Sequence, residues 1–445
     1  MILSNKNFFS SVKKKKRILN NLLSGFSSEG IQIITQIFFA PLMILFWGLE
    51  NFGIWVFLLS IPNIFIIFNI STFDASIQEM TMFKANGNIK KANEIFQNSI
   101  VLVFLNMIIF TILIIVFYLF FSFDLSILQN INSQEIPIIF ILLILSIYIN
   151  LAEGILLTGI NSEGKLYIGF NISGVIEFLS KIFIALSGFI FVSLLYPVII
   201  FFLFTVIKFL LNFYFFKLHT KKLVISLKLV SKKILKKILK LSIGHNADIV
   251  TNIARHSVVI IILGIFYGPL MVGFVATIKT MFYFMPIRFF GKFNHILLYE
   301  YANLFAKKKF NQIIINLKSV IKIIFSLLFL FIISSIIIGP FVYKLWLNNK
   351  YEIDLLFLVI IVFDVFFFIL RDTIVSALKA VNKYALLGLS ELIIIITSVF
   401  LFYLSLYFDY SYQFSFSILL FGSIISLFFS SIILYFFLMK IYKKK

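Results

Sequence analysis

Residues 101–121 read Val-Leu-Val-Phe-Leu-Asn-Met-Ile-Ile-Phe-Thr-Ile-Leu-Ile-Ile-Val-Phe-Tyr-Leu-Phe-Phe. The run carries no charge, and about 20 such residues suffice to cross a bilayer as a helix. It is continuous rather than alternating, which excludes the strand of an outer-membrane barrel, where apolar and polar residues take turns. Runs of the same kind recur along all 445 residues, of which 61% are hydrophobic and 13% charged. Mean hydropathy is +1.08. An ordinary soluble enzyme of this length needs far more polar surface. The composition therefore predicts an all-α integral membrane protein.

Twelve spans are expected, over residues 18–46, 52–73, 99–121, 136–158, 166–190, 197–216, 242–265, 270–298, 319–341, 355–376, 384–405 and 413–439. The basic Lys13–Arg17 cluster before the first span resembles a signal peptide, but the apolar stretch after it is too long for one and reads as an uncleaved span. Lys+Arg is 39 and Asp+Glu 18, a formal net charge of +21. Most of the basic residues fall in one alternate set of loops, while the opposite set holds only Lys344 and Lys350. By the positive-inside rule both termini are cytoplasmic, and the charge reflects loops facing anionic lipid rather than nucleic acid. Cysteine is absent, which excludes disulfides and thiolate chemistry. The outward loops are too short to form the sugar-handling site of a membrane glycosyltransferase or polymerase.

The chain repeats itself. Phe83–Ala92 after the second span corresponds to Leu304–Phe310 after the eighth, and Leu157–Asn161 to Leu378–Asn382. Matching order suggests two six-span halves in the same orientation, an arrangement that places a transport site at the repeat interface. The expected lobes are residues 1–227 and 242–445. Between them, residues 228–241 form an amphipathic helix: Lys232, Lys233, Lys236, Lys237 and Lys240 on one side, Val230, Ile234, Leu235, Ile238 and Leu241 on the other. This helix is expected to lie on the inner leaflet.

Ionisable residues inside spans cost about 2.5–3.5 kcal/mol each on insertion scales and so face a cavity or a partner. His245, Asp248, Asn252 and Arg255 follow steps of 3, 4 and 3, one face of a regular helix. Arg255 sits mid-span. Two readings stand: it offers a bidentate fork to a phosphate or pyrophosphate in a cavity, or it pairs with Asp248. The eighth span adds Lys279, Arg288, Lys292 and His295, with Pro286 expected to kink it. Arg288 and Lys292 also lie near enough to the cytoplasmic end to snorkel. In the first span Asn21, Gly25, Ser28, Glu29, Gln32, Thr35 and Gln36 form a polar stripe unsuited to lipid, which lines a cavity or packs on a neighbouring helix. Glu177 and Lys181 stand at i, i+4 and read as a structural pair. Asp74, Glu153, Arg371 and Asp372 are expected to be wetted near cytoplasmic ends, while Asp364 and Glu391 lie deeper. No catalytic constellation, cofactor fingerprint or metal-ligand spacing is present.

The run Gln36–Leu42, then Trp47-Gly48-Leu49-Glu50-Asn51-Phe52-Gly53-Ile54-Trp55, resembles the opening of polysaccharide-export flippases of the Wzx type, the O-antigen flippases. So do Asp74–Thr81, Asn86-Gly87-Asn88 with Ala92, Gly268-Pro269 with Val272-Gly273-Phe274, and Leu345-Trp346-Leu347. The family belongs to the multidrug/oligosaccharidyl-lipid/polysaccharide superfamily. The resemblance implies a MATE-like bundle of two six-helix lobes around a cavity, in the bacterial inner membrane. It implies a carrier rather than an enzyme, moving an undecaprenyl-pyrophosphate-linked oligosaccharide between leaflets. Arg255, Lys279, Arg288 and Lys292 would then bind the diphosphate head, and Asn252, Gln32 and Gln36 the sugars. Coupling to H⁺ or Na⁺ would use His245, Asp248, Asp364 or Glu391. Membrane lipid and the polymerase or other glycan-assembly proteins of an envelope polysaccharide would be partners. The alternatives are a multidrug/cation antiporter of the related branch and, further off, a polysaccharide polymerase.

Overall fold

The computed structural model describes residues 2–66, 73–120, 131–191, 193–220, 223–306, 309–379 and 385–442. These form fourteen α-helices: α1 (Ile2–Ile66), α2 (Phe73–Ala85), α3 (Ile89–Phe120), α4 (Ile136–Ser162), α5 (Leu166–Ile190), α6 (Leu195–His219), α7 (Lys232–Ile253), α8 (Val259–Lys279), α9 (Met285–Ala306), α10 (Phe310–Ile337), α11 (Gly339–Trp346), α12 (Leu355–Lys379), α13 (Ala385–Tyr407) and α14 (Tyr412–Tyr442). Two π-helical turns, Ala254–Val258 and Thr280–Phe284, join α7 to α8 and α8 to α9.

Nine helical segments among the described residues are long and apolar enough to cross a membrane. Two of them, Leu23–Ile64 and Ile249–Gly291, run to 42 and 43 residues. A straight helix of that length would extend about 60 Å, twice the roughly 30 Å of hydrocarbon. Each is broken at a glycine. Gly48 has φ 81°, ψ 166° and Gly268 φ 76°, ψ −178°, backbone states that essentially only glycine adopts. Each segment thus supplies two passes. With α12, whose Asp364, Arg371, Asp372 and Lys379 set it apart from the apolar set, the twelve expected spans are accounted for. The expected loop 75–98 is mostly helical, because α2 and the first turns of α3 continue beyond the apolar runs.

The chain divides into two compact units, residues 1–47 with 65–245 and residues 48–64 with 246–445. Unlike the expected lobes, the second unit takes in Gly48–Ile64. In the first unit α4 packs against α2, α3, α5 and α6. In the second, α12 packs against α9, α10, α14 and the turn Thr280–Phe284. The two cores use the same register. Met80, Ala92, Phe96, Leu156 and Phe216 build the first. At one constant spacing in the sequence, Tyr301, Ile313, Leu317, Ala377 and Phe437 build the second. Leu157 and Leu378 also correspond, and so do Phe83 and Leu304. Ala380, Val381 and Asn382 of the sequence match lie outside the described residues.

The amphipathic segment packs part of its apolar side on the first unit. Its five lysines are exposed, but Ile238 is 1% exposed and packs with Ile234 and Leu235 against Met80, Phe96 and Ile160 of the first unit. Val230 and Leu241 of the same apolar set remain exposed. Amide side chains of α3 hold the preceding non-helical segment, residues 223–231. Asn93 accepts from the Val224 N–H at 3.0 Å, Gln97 from Leu229 at 2.9 Å, and Asn98 from Ser231 at 2.9 Å while donating to the Leu229 carbonyl at 3.1 Å. Lys237 and Glu79 pair at 2.5 Å. Net values of about 0.5–1.5 kcal/mol per hydrogen bond give a clear expectation for Asn98→Ala: limited proteolysis cuts residues 223–231 faster, with the helices left intact. An unchanged cleavage rate would contradict this clamp.

Candidate functional site

The polar centre of the second unit gathers around Asp364 on α12. Arg255, from the π-helical turn after α7, donates to Asp364 Oδ1 at 3.0 Å and to Ser423 Oγ of α14 at 2.7 Å. Ser423 in turn donates to Asp364. The Arg255 and Asp364 side chains are 5% and 8% exposed. Lys279, the last residue of α8, is also buried. Its ammonium lies over the rings of Tyr283 and Phe416, 5.4 and 5.9 Å from their centroids. The Tyr283 hydroxyl sits beside Arg255, and His256 stacks edge-on against Tyr283 at 5.2 Å. Arg255 also covers Phe368 at 5.4 Å.

Two features of this cluster matter chemically. Arg255 lies within the first π-turn and Lys279 immediately precedes the second; such turns often mark functional positions. And the charges do not balance. Arg255 has a carboxylate, whereas Lys279 has none within ion-pair reach among the described residues. A buried ammonium supported mainly by aromatic faces attracts an anion.

Several expectations change here. Arg255 is bonded to Asp364 on another helix, not left open as a fork. Asn252, expected on the same face, is exposed while Arg255 is buried, because the π-turn begins at Ala254 and breaks the 3.6-residue register. Asp364 and Glu391, expected as coupling carboxylates, are each closed by a guanidinium, Arg255 and Arg371 respectively. Arg371 and Glu153 are buried, not wetted. The chain continues helically through Pro286, and the irregularity falls in the π-turn just before it. Arg288 is half-buried, as are Gln32 and Gln36. The side chains of His245, Asp248, Lys292, His295, Asn21, Glu29 and Asp74 lie outside the described residues.

The sequence reading missed Ser423, Tyr283 and Phe416. Ser423 had a visible signal: Ser423, Ser426 and Ser430 recur at helical spacing and are all buried. It also missed a cluster in the first unit. There Glu153 of α4 pairs with Lys208 of α6 at 3.1 Å and accepts from Asn212 Nδ2 at 2.8 Å.

The sequence matches no protein-family model, and no curated protein matches it. Solved structures do match. A lipid II flippase, MurJ, in an inward closed conformation is 16% identical over 92% of this chain and 86% of its own, with a TM-score of 0.62. A MATE structure in a bent conformation is 13% identical over 97% and 96%, TM-score 0.62. An inward-facing multidrug resistance MATE family transporter of the MOP superfamily is 12% identical over 96% and 99%, TM-score 0.59. At these identities the likeness establishes the fold: this chain has the all-α, multi-pass architecture shared by MATE transporters and MurJ.

Proposed function

We propose that this chain is a flippase that carries an undecaprenyl-pyrophosphate-linked oligosaccharide between the leaflets of a bacterial inner membrane by alternating access. It performs no bond-making chemistry. The observation that carries the reading is the cation excess in the second unit, where, among the described residues, Arg255 and Lys279 are buried beside one carboxylate, Asp364. Bringing a diphosphate through hydrocarbon is prohibitive without compensating charge. Lys279, which has no ion pair among the described residues, supplies that charge. Arg255 contributes once the head group competes with Asp364 for its fork, and the half-buried Arg288 extends the basic lining. Gln32 and Gln36 on α1, and the exposed Asn252, offer amides to sugar hydroxyls. Lys292 is assigned to the head group with them. The similarity to a lipid II flippase agrees with this reading through the fold.

The MATE neighbours keep a multidrug/cation antiporter as the rival. That reading calls for intramembrane carboxylates free to meet a cation, yet in the second unit the described buried carboxylates Asp364 and Glu391 are both taken by arginines. In cells dependent on this gene for an envelope glycan, Lys279→Met should abolish surface glycan while Lys344→Met, at an exposed pair with Glu352, leaves it intact. Normal glycan in the Lys279 variant, at equal protein level, would count against the flippase.

A further inference from the structure

We infer that residues 223–236 of the first unit form a foothold on anionic lipid: Val224, Ile225, Leu227 and Val230 enter the boundary between acyl chains and head groups, while Lys228, Lys232, Lys233 and Lys236 meet the phosphates. The inference goes beyond the flippase reading and does not depend on what the chain carries.

Val224, Ile225 and Leu227 are each more than half exposed, and Val230 is exposed as well. Single exposed aliphatics are ordinary, but four within residues 224–230 make a patch of the kind that marks an interaction surface. The patch continues an exposed apolar stripe. Leu203, Ile207, Leu210, Tyr214 and Leu218 of α6 are exposed in steps of 4, 3, 4 and 4, one face of a helix, in a segment long and apolar enough to cross a membrane. The chain leaves α6 at His219 and reaches Val224 five residues later. Its backbone is fixed there. Besides the bonds that Asn93, Gln97 and Asn98 accept, Gln97 Nε2 donates to the Val224 carbonyl at 3.3 Å, and Leu223 packs into the same core as Ile238. Non-helical backbone does not lie exposed within the hydrocarbon itself, so the depth this patch reaches is the head-group boundary.

Charge selects the lipid. Residues 223–241 contain six lysines and no acidic residue. Among the described residues only Lys237 of these six has a carboxylate in ion-pair reach, Glu79. Lys228, Lys232, Lys233 and Lys236 are exposed, and Lys232 and Lys236 stand about one helical turn apart on the side of α7 away from the buried Ile238. An apolar patch edged by ammonium groups is the pattern of an interfacial segment. Long lysine stems let the charge reach phosphate from a shallow apolar contact. A second copy of this chain is a poor occupant, since a symmetric contact would set these lysines against their own copies. An acidic protein would answer the lysines but leave unexplained why the aliphatics follow on from the α6 stripe.

The chain lacks cysteine, so Leu227→Cys gives a single attachment point for a bimane fluorophore at an exposed position. The labelled full chain is placed in nanodiscs of three parts phosphatidylcholine to one of phosphatidylglycerol, with bromine on the acyl chains of one lipid or the other. Brominated phosphatidylglycerol should quench at least about twofold more per molecule than brominated phosphatidylcholine at low salt. The excess should vanish at about 1 M salt, where the screening length is about 3 Å. Replacing Lys228, Lys232, Lys233 and Lys236 together by Gln should abolish the excess too. Replacing Lys309, Lys318 and Lys322 by Gln, exposed lysines of the second unit, should leave it. Size-exclusion profiles confirm folding of each variant. No quenching by either lipid would put the segment in water or against a protein and overturn the inference. Equal quenching by both lipids, or an excess that survives loss of the four lysines, would overturn it as well. Because no substrate is present, such a failure leaves the flippase reading untouched, and a failed flipping assay leaves this surface standing.

Discussion

Replacing Asp364 by leucine should destabilise the protein far more than replacing Asp364 and Arg255 together. The single change leaves Arg255 and Lys279 buried with no carboxylate near them among the described residues. Breaking a buried ion pair from one side costs about 3–5 kcal/mol, whereas exchanging both partners for apolar residues is often close to neutral. Arg255→Met alone should fall between, because Lys279 stands close enough to Asp364 to interact with it and Ser423 still donates to the acid. Thermal unfolding of the three variants in detergent closes a double-mutant cycle. A double variant recovering most of the loss supports the pairing. Losses that simply add would show that Arg255 and Asp364 act independently.

The second large effect belongs to the crossing of two glycine-led arms. A Cβ on Gly53 would land on the Pro269 carbonyl, and one on Gly273 on the Leu49 carbonyl. Leu49 follows Gly48 and Pro269 follows Gly268, so each arm's glycine accepts the backbone that leaves the other arm's turn. Both contacts lie within the second unit. Backbone cannot move aside as a flexible side chain does, so the usual overpacking penalty of about 1–3 kcal/mol is a lower bound here. Gly53→Val and Gly273→Val should each abolish a monodisperse size-exclusion peak. Gly30→Ala is the control, since nothing lies within 4 Å of its Cβ. Equal yields from Gly53→Val and Gly30→Ala would refute the close crossing.

Fold was easier to read from these residues than site, for physical reasons. An uncharged run such as residues 101–121 has one low-energy answer in a membrane. The repeat was legible because the same core positions recur, from Met80 and Tyr301 to Phe216 and Phe437. Charged partners were not. Asp364 is 109 residues from Arg255 in sequence, and only the tertiary fold brings them together. The stepwise face from His245 to Arg255 assumed an unbroken helical period, which the π-turn at Ala254 interrupts. Asn212 carries no signal of its own in the sequence, because its partner Glu153 lies 59 residues away. Lys279 could be singled out from the sequence as deep, and it is.

The central claim is that a buried cation excess serves an anionic lipid head. It is tested most directly by reconstituting the protein in vesicles with an undecaprenyl-pyrophosphate-linked oligosaccharide confined to one leaflet, and following its appearance in the other. The wild-type chain should equilibrate the lipid, and Lys279→Met should slow this at least about tenfold, the equivalent of 1.4 kcal/mol. Equal rates for both proteins, or transport of an organic cation such as ethidium in place of the lipid, would contradict it.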